Sequence, residues 1–194
     1  MSPRTAEPPV FEYVLLGLIR KHSTHGYELF HSLHRDQGIG MIWQVKPARL
    51  YAVLDRLDAN GWLEAELQTG EGFIPRKCCS ISAAGEQAFQ TWLATPVSSP
   101  HRMRQEFLAR LYFSLQENRQ TGLQLVQRQL ETCRSWQLKM HQDLEKLPAG
   151  QVFEQEVLRF RTGQVQAMQN WLEQLSETFQ VFLGTENGEN ERKQ

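Results

Sequence analysis

The stretch KPARLYAVLDRLDANGWLEAE, Lys46 to Glu66, decides the fold. Pro47 stands where the first turn of a helix tolerates a residue without an amide hydrogen. At 100° per residue, Leu50, Val53, Leu54 and Leu57 fall on one arc of about 100°, the width of a core face. Ala48, Arg49, Ala52, Asp55, Arg56 and Ala59 lie on the other side. Small residues and arginines there suit a helix that must approach another surface closely. Gly61 ends the helix. Beyond it Leu63, Ala65 and Leu67 alternate with Glu64, Glu66 and Gln68, the period of a half-buried strand. TGEG is a turn cluster, and RKCCSIS reads as the returning strand. A helix that stops at glycine and runs into a hairpin is the recognition helix and wing of a winged helix-turn-helix.

Working outward, residues 1–9 are proline-rich and expected to be loose. VFEYVLLGLIRKH places Val10, Val14, Leu15, Leu18 and Ile19 on a helical face. In STHGYELFHSLHRD, Ser23 or Thr24 can cap a helix carrying Tyr27, Leu29, Phe30 and Leu33, and Gly38 and Gly40 then interrupt. After the hairpin, Ser82 can cap a helix with Gly85 in its first turns, reaching Thr95-Pro96. The winged domain is therefore expected over residues 10–96.

PVSSPH, 96–101, reads as a linker, and residues 102–183 as a helical region. Phe107, Leu108, Leu111 and Leu115 make one apolar face. Leu123, Val126, Leu130, Cys133, Gln137, Met140, Leu144 and Leu147 recur at spacings of three and four, the heptad pattern of a coiled coil or tight bundle. LPAG breaks it, and a third helix, Val152 to Leu183, carries Val157, Val165, Met168, Leu172, Leu175 and Phe179. A second seam (Trp136, Phe160, Trp171, Phe182) widens the apolar surface, so this half is expected to need a partner. Leu123, Val126, Leu130, Met140, Val157, Met168, Leu172, Leu175 and Phe179 are the dimerisation residues this pattern predicts. Residues 184–194 are polar and read as a disordered tail. The predicted fold is mainly α with a small β-hairpin: an N-terminal winged helix-turn-helix and a C-terminal antiparallel coiled-coil dimerisation region.

Composition bounds the function. Among 194 residues, Lys+Arg number 21 and Asp+Glu 22, a net charge of -1. Residues 1–96 hold 9 basic and 10 acidic side chains, and the remainder holds 12 of each. A nucleic-acid reading must therefore rest on where charge is placed, not on a basic excess. Three cysteines, Cys78, Cys79 and Cys133, fit no disulfide framework and suit a reducing compartment. MSPRTAEPPV lacks the apolar core of a signal peptide, and no apolar run reaches the roughly 18–20 residues that span a bilayer, so a cytoplasmic protein with no membrane partner is expected. Phosphate loops, nucleophile elbows and HExxH or CxxC motifs are lacking, which argues against an enzyme and against a cofactor.

In a helix-turn-helix the N-terminal end of the second helix meets base edges. Here that end runs Lys46, Pro47, Ala48, Arg49 and, one turn on, Ala52. Arginine has the fork geometry for guanine, and alanine packs on a thymine methyl. Arg56 and Tyr51 suit phosphate, and Arg76 and Lys77 at the base of the wing turn TGEGFIP suit the adjacent backbone or the minor groove. Asp55, Asp58, Glu64, Glu66 and Glu71 offset these cations.

Adjacent strand residues face opposite ways, so one of Cys78 and Cys79 is expected to be buried and the other exposed. His31 and His34 share a helical face, but with His22 and His25 elsewhere no full ligand set forms, and no metal site is expected. Trp92, Phe107, Tyr112, Trp136 and Trp171 are candidates either for an apolar effector pocket or for packing.

These residues resemble the PadR family of bacterial transcriptional regulators. The matching pieces are LLGLI and HGYEL (Leu15–Leu29), the pattern from Trp43 to Glu64 around LY, RL and GWLE, and PRK with SIS and Gly85 (Pro75–Gly85). Arg104–Phe113 and the long helices after it resemble the subgroup with a virulence-activator-like helical C-terminal region. The resemblance implies a homodimer on an inverted-repeat DNA operator, usually a repressor, released in many members by a small effector such as a phenolic acid or a toxic hydrophobic compound. Cys78-Cys79 stands where the family commonly has aromatics, and the wing tip carries fewer charges than usual. Two rivals stay open at this level: a winged-helix adaptor that binds protein, and a regulator answering to metal or redox state.

Overall fold

The computed structural model describes residues 10–35, 38–68, 76–148 and 150–191. The chain divides after Ala94 into two compact units.

The first unit begins with α1 (Val10–Ile19), β1 (Thr24–His25) and α2 (Gly26–Arg35). After a 3-10 turn at Ile39–Met41 come α3 (Pro47–Ala59), β2 (Leu63–Gln68), β3 (Arg76–Ile81) and α4 (Ala83–Ala94). Phe11, Leu15, Leu16, Leu33, Ile39, Leu50, Leu57 and Phe89 are almost fully buried and form its core. The end of α3 closes as the leucine pattern requires. The Trp62 amide donates to the Leu57 carbonyl and the Gly61 amide to that of Asp58, both at 2.9 Å, with Gly61 at φ 70°. This double bond needs a left-handed residue, which glycine adopts at no steric cost. It turns the chain from α3 directly into β2.

The sheet differs from the expected hairpin. It has three antiparallel strands in the order β1-β3-β2, with Thr24 opposite Cys79 and His25 opposite Cys78. Thr24 is therefore a strand residue, and α2 starts at Gly26. Glu28 caps it instead: its Oε2 accepts from the His25 amide at 3.4 Å and from the Thr24 hydroxyl at 3.0 Å. The expectation of one exposed cysteine is corrected for the same reason. Cys78 and Cys79 are both buried, Cys78 flanked across the strands by His25 and Glu66 and Cys79 by Thr24 and Ala65. The turn between the strands, residues 69–75, lies outside the described residues.

The second unit opens with a 3-10 turn at Pro100–Arg104, then α5 (Glu106–Glu117), α6 (Arg119–Glu145) and α7 (Val152–Glu191). Asn118 caps α6, its Oδ1 accepting from the Thr121 amide at 2.8 Å. Helices α6 and α7 run antiparallel, as the pairs Gln137–Gln166 at 2.6 Å and Arg134–Glu173 at 3.8 Å show. Val165, Leu172 and Phe179, spaced by seven, pack with Leu123, Val126, Leu130 and Cys133. A polar seam threads this core. Glu106 and Arg110 form a buried ion pair, and the Val97 amide donates to Gln129 Oε1 at 2.8 Å. The backbone of α7 stays helical to Glu191, past Leu183, the end its sequence pattern predicts. Gly184 and Gly188 lower helix propensity by about 1 kcal/mol each but keep their amide donors, and no proline intervenes.

Candidate nucleic-acid interface

Helix α3 has two sharply different sides. Leu50 and Leu57 are wholly buried and Val53 nearly so, while Lys46, Pro47, Ala48, Arg49, Tyr51, Ala52, Asp55 and Arg56 are exposed. The exposed side is the one the sequence offered to DNA.

The first turn of α1 reaches both arginines of that side. The Arg49 guanidinium carbon lies 5.6 Å from the centre of the Phe11 ring. Arg56 Nε donates to Glu12 Oε1 at 3.0 Å, and the Glu12 side chain is only 4% exposed against 51% for Arg56. A carboxylate this deep needs its cation, so Arg56 is held by Nε.

Lys77, at the root of the wing, is also engaged. Its Nζ donates to Asp58 Oδ2 at 2.7 Å and lies 4.0 Å from Asp55 Oδ1. The hydrogen bond to Asp58, with the nearby negative charges, pushes the Lys77 ammonium up from its ordinary value against the opposing effect of burial. The Lys77 carbonyl in turn faces His25 Nδ1 at 3.2 Å. The Arg76 side chain lies outside the described ones.

One feature escaped the sequence. His25, Gly26, Tyr27, Glu28, Tyr51 and Lys77 line a cleft of about 620 Å³ where α2 starts beside the flank of α3. Tyr27 is 65% exposed there, although its helical spacing had suggested packing. Gly26 is what lets the two helices meet so closely: a Cβ on it would lie 2.6 Å from Tyr51 Cε1. The GY pair was the available signal, but its meaning depends on a contact with a residue 25 positions on.

Residues 15–91 match the family described as transcriptional regulator PadR-like. The chain carries a PadR-like domain. The negative transcriptional regulator PadR of Bacillus subtilis (strain 168) is 25% identical over 140 residues, spanning 72% of this chain and 76% of that protein. The crystal structure of Bacillus subtilis PadR with operator DNA covers 88% of this chain and 99% of its own at 22% identity and a TM-score of 0.45. The same protein with p-coumaric acid covers 89% and 99% at 22% identity and a TM-score of 0.40.

Trp92 is buried in the first unit. That residue stacks on Tyr13 with ring centres 5.1 Å apart and planes 2° from parallel. The other aromatic candidates lie in the helical unit. Phe107 is fully buried and meets Trp171 edge-on at 5.9 Å, Tyr112 sits edge-on to Phe113, and Trp136 packs on the core. Of the five, Trp171 lines an open cleft of about 550 Å³ with Met103, Leu108 and Met168, and with His101 and Arg104 at its polar edge.

Most of the heptad residues assigned to dimerisation pack inside their own subunit. Leu123, Val126, Leu130, Leu172 and Phe179 belong to the core, and Met140, Met168 and Leu175 pack against it. Val157 is half-buried. Met140, Val157, Met168 and Leu175 keep part of their surface open. Among the described residues the apolar surface still open on this unit includes Leu138, Val152, Phe153, Phe160 and Val181, each more than 60% exposed. Among the described residues no helix is long and apolar enough to cross a membrane, and no group of three metal-ligating side chains converges.

Proposed function

We propose that this protein is a sequence-specific, dimeric DNA-binding transcriptional regulator that represses its targets and is released by a small effector. The two-sidedness of α3 carries the reading: its leucines anchor it while Lys46, Ala48, Arg49 and Ala52 remain open at the end that enters a major groove. Repression is supported by the curated Bacillus subtilis relative, a negative regulator. Dimerisation is supported by Phe153 and Phe160, large apolar side chains left uncovered on α7. In a dimer two recognition helices about 34 Å apart would read successive turns of an inverted repeat. The cleft around Trp171, with apolar walls and His101 and Arg104 at its edge, is the place offered to an effector. A gel-shift assay followed by footprinting on DNA upstream of its own gene tests the proposal. A protected inverted repeat, lost as salt rises, is the expected result. No salt-sensitive shift with any such fragment would leave the winged domain as a protein-docking module.

A further inference from the structure

We infer that Asp58, assisted by Asp55, is an internal counter-ion for Lys77 that holds down the protein's affinity for DNA; the inference rests on the DNA-binding reading above.

Two cations flanking the open side of α3 are bound to carboxylates of the same unit, but in different ways. Arg56 pairs with Glu12, whose side chain is 4% exposed. Withdrawing Arg56 would strand a buried charge, so this pair persists with or without DNA. Lys77 pairs with Asp58, and these side chains are 44% and 39% exposed. A pair so open to water is weak and exchangeable. Asp55, 78% exposed, lies 4.0 Å from the same ammonium.

Lys77 shares its cleft with Tyr51 of α3 and Tyr27 of α2, so a phosphate reaching that flank meets Lys77 already neutralised. To use the lysine, the phosphate must displace Asp58 and tolerate Asp55. On an arbitrary sequence the backbone is held loosely, and one new contact is offset by the lost pair and by repulsion from both carboxylates. On an operator, base contacts by Arg49 and its neighbours fix the register. A phosphate is then held at Lys77 and the exchange proceeds. The carboxylates thus lower affinity wherever Lys77 meets phosphate, and on the operator by the full cost of displacing Asp58. This also accounts for a DNA-reading unit whose 9 basic and 10 acidic residues show no net positive charge.

The test compares the wild-type full-length protein with Asp58→Asn, Asp55→Asn and Asp58→Asn/Lys77→Ala. Each is titrated by fluorescence anisotropy against a scrambled-sequence duplex and against the footprinted upstream fragment, across a KCl series. Asp58→Asn is expected to tighten scrambled-duplex binding about fivefold and to steepen its log–log salt dependence by about one ion per subunit. Asp55→Asn should do the same more weakly, and operator affinity should rise at least as much as scrambled-duplex affinity in each variant. Removing Lys77 should erase the gain. Unchanged scrambled-duplex affinity in Asp58→Asn overturns the inference, as does a gain that survives loss of Lys77. Either result beside an intact footprint leaves the DNA-binding reading standing, whereas no footprint at all removes both.

Discussion

Arg56 Nε donates at 3.0 Å to Glu12 Oε1, joining α3 to the first turn of α1 across 44 residues of sequence. Because the carboxylate is buried and the guanidinium half open, the pair is both a structural tie and a way of aiming the arginine's outer nitrogens. Arg56→Ala should therefore unfold more easily, by about 2 kcal/mol, below the 3–5 typical of a fully buried broken pair. Replacing Glu12 with Gln in that variant should recover part of the loss, since the stranded charge is gone. Urea denaturation of the two variants measures this. A loss as small as the few tenths of a surface pair would mean Glu12 is not dependent on Arg56.

Arg49 sits in the first turn of α3, the end proposed to enter the groove, its guanidinium over Phe11 and its side chain exposed. Arg49→Ala should weaken operator binding by at least about tenfold, from the 1–3 kcal/mol of one base contact per half-site. Gel filtration and thermal melting should be unchanged. Retained operator affinity would remove Arg49 from the interface.

Gly26→Ala places a methyl 2.6 Å from Tyr51 Cε1 and 3.2 Å from Leu54 Cδ1. The tyrosine ring can swing away but not without leaving the cleft it shares with Tyr27 and Lys77. A stability loss of about 1 kcal/mol is expected, with a larger proportional loss of DNA affinity. Tyr51→Phe, which keeps the ring and removes the hydroxyl, separates the shape effect from a phosphate hydrogen bond in the same anisotropy assay.

Phe160 is 67% exposed on α7, beyond the core made by Val165, Leu172 and Phe179. Phe160→Glu should shift sedimentation toward the monomer and leave helicity intact, because a charge in the apolar centre of an interface is left unpaired. By contrast Leu172→Ala, at a wholly buried position, should lower stability by about 2–5 kcal/mol. A Phe160→Glu protein that sediments as wild type would place the interface elsewhere.

Burial pushes the Cys79 and Cys133 thiols up from their ordinary value, and all three cysteines are buried. A raised folded-state value means that the stabilisation is complete below the unfolded thiol's value and is lost as pH rises through the folded one. Denaturant resistance should accordingly fall in the alkaline range. Native protein near neutral pH should react with a thiol reagent many times more slowly than denatured protein. Rapid native labelling would reopen the redox-sensing alternative.

The sequence alone determined what depends on near neighbours. The leucine arc and Gly61 define α3, its exit and its open side, because helical period and a left-handed cap are properties of a few consecutive residues. The seven-residue spacing of Val165, Leu172 and Phe179 likewise set a buried seam. Only the tertiary structure decided what depends on distant segments meeting. It turned Thr24-His25 into a strand on β3 and buried both adjacent cysteines. It made Glu12 the keeper of Arg56 and Asp58 the holder of Lys77. It also closed most heptad residues inside their own subunit, since an apolar stripe states that it must be covered but not by which surface.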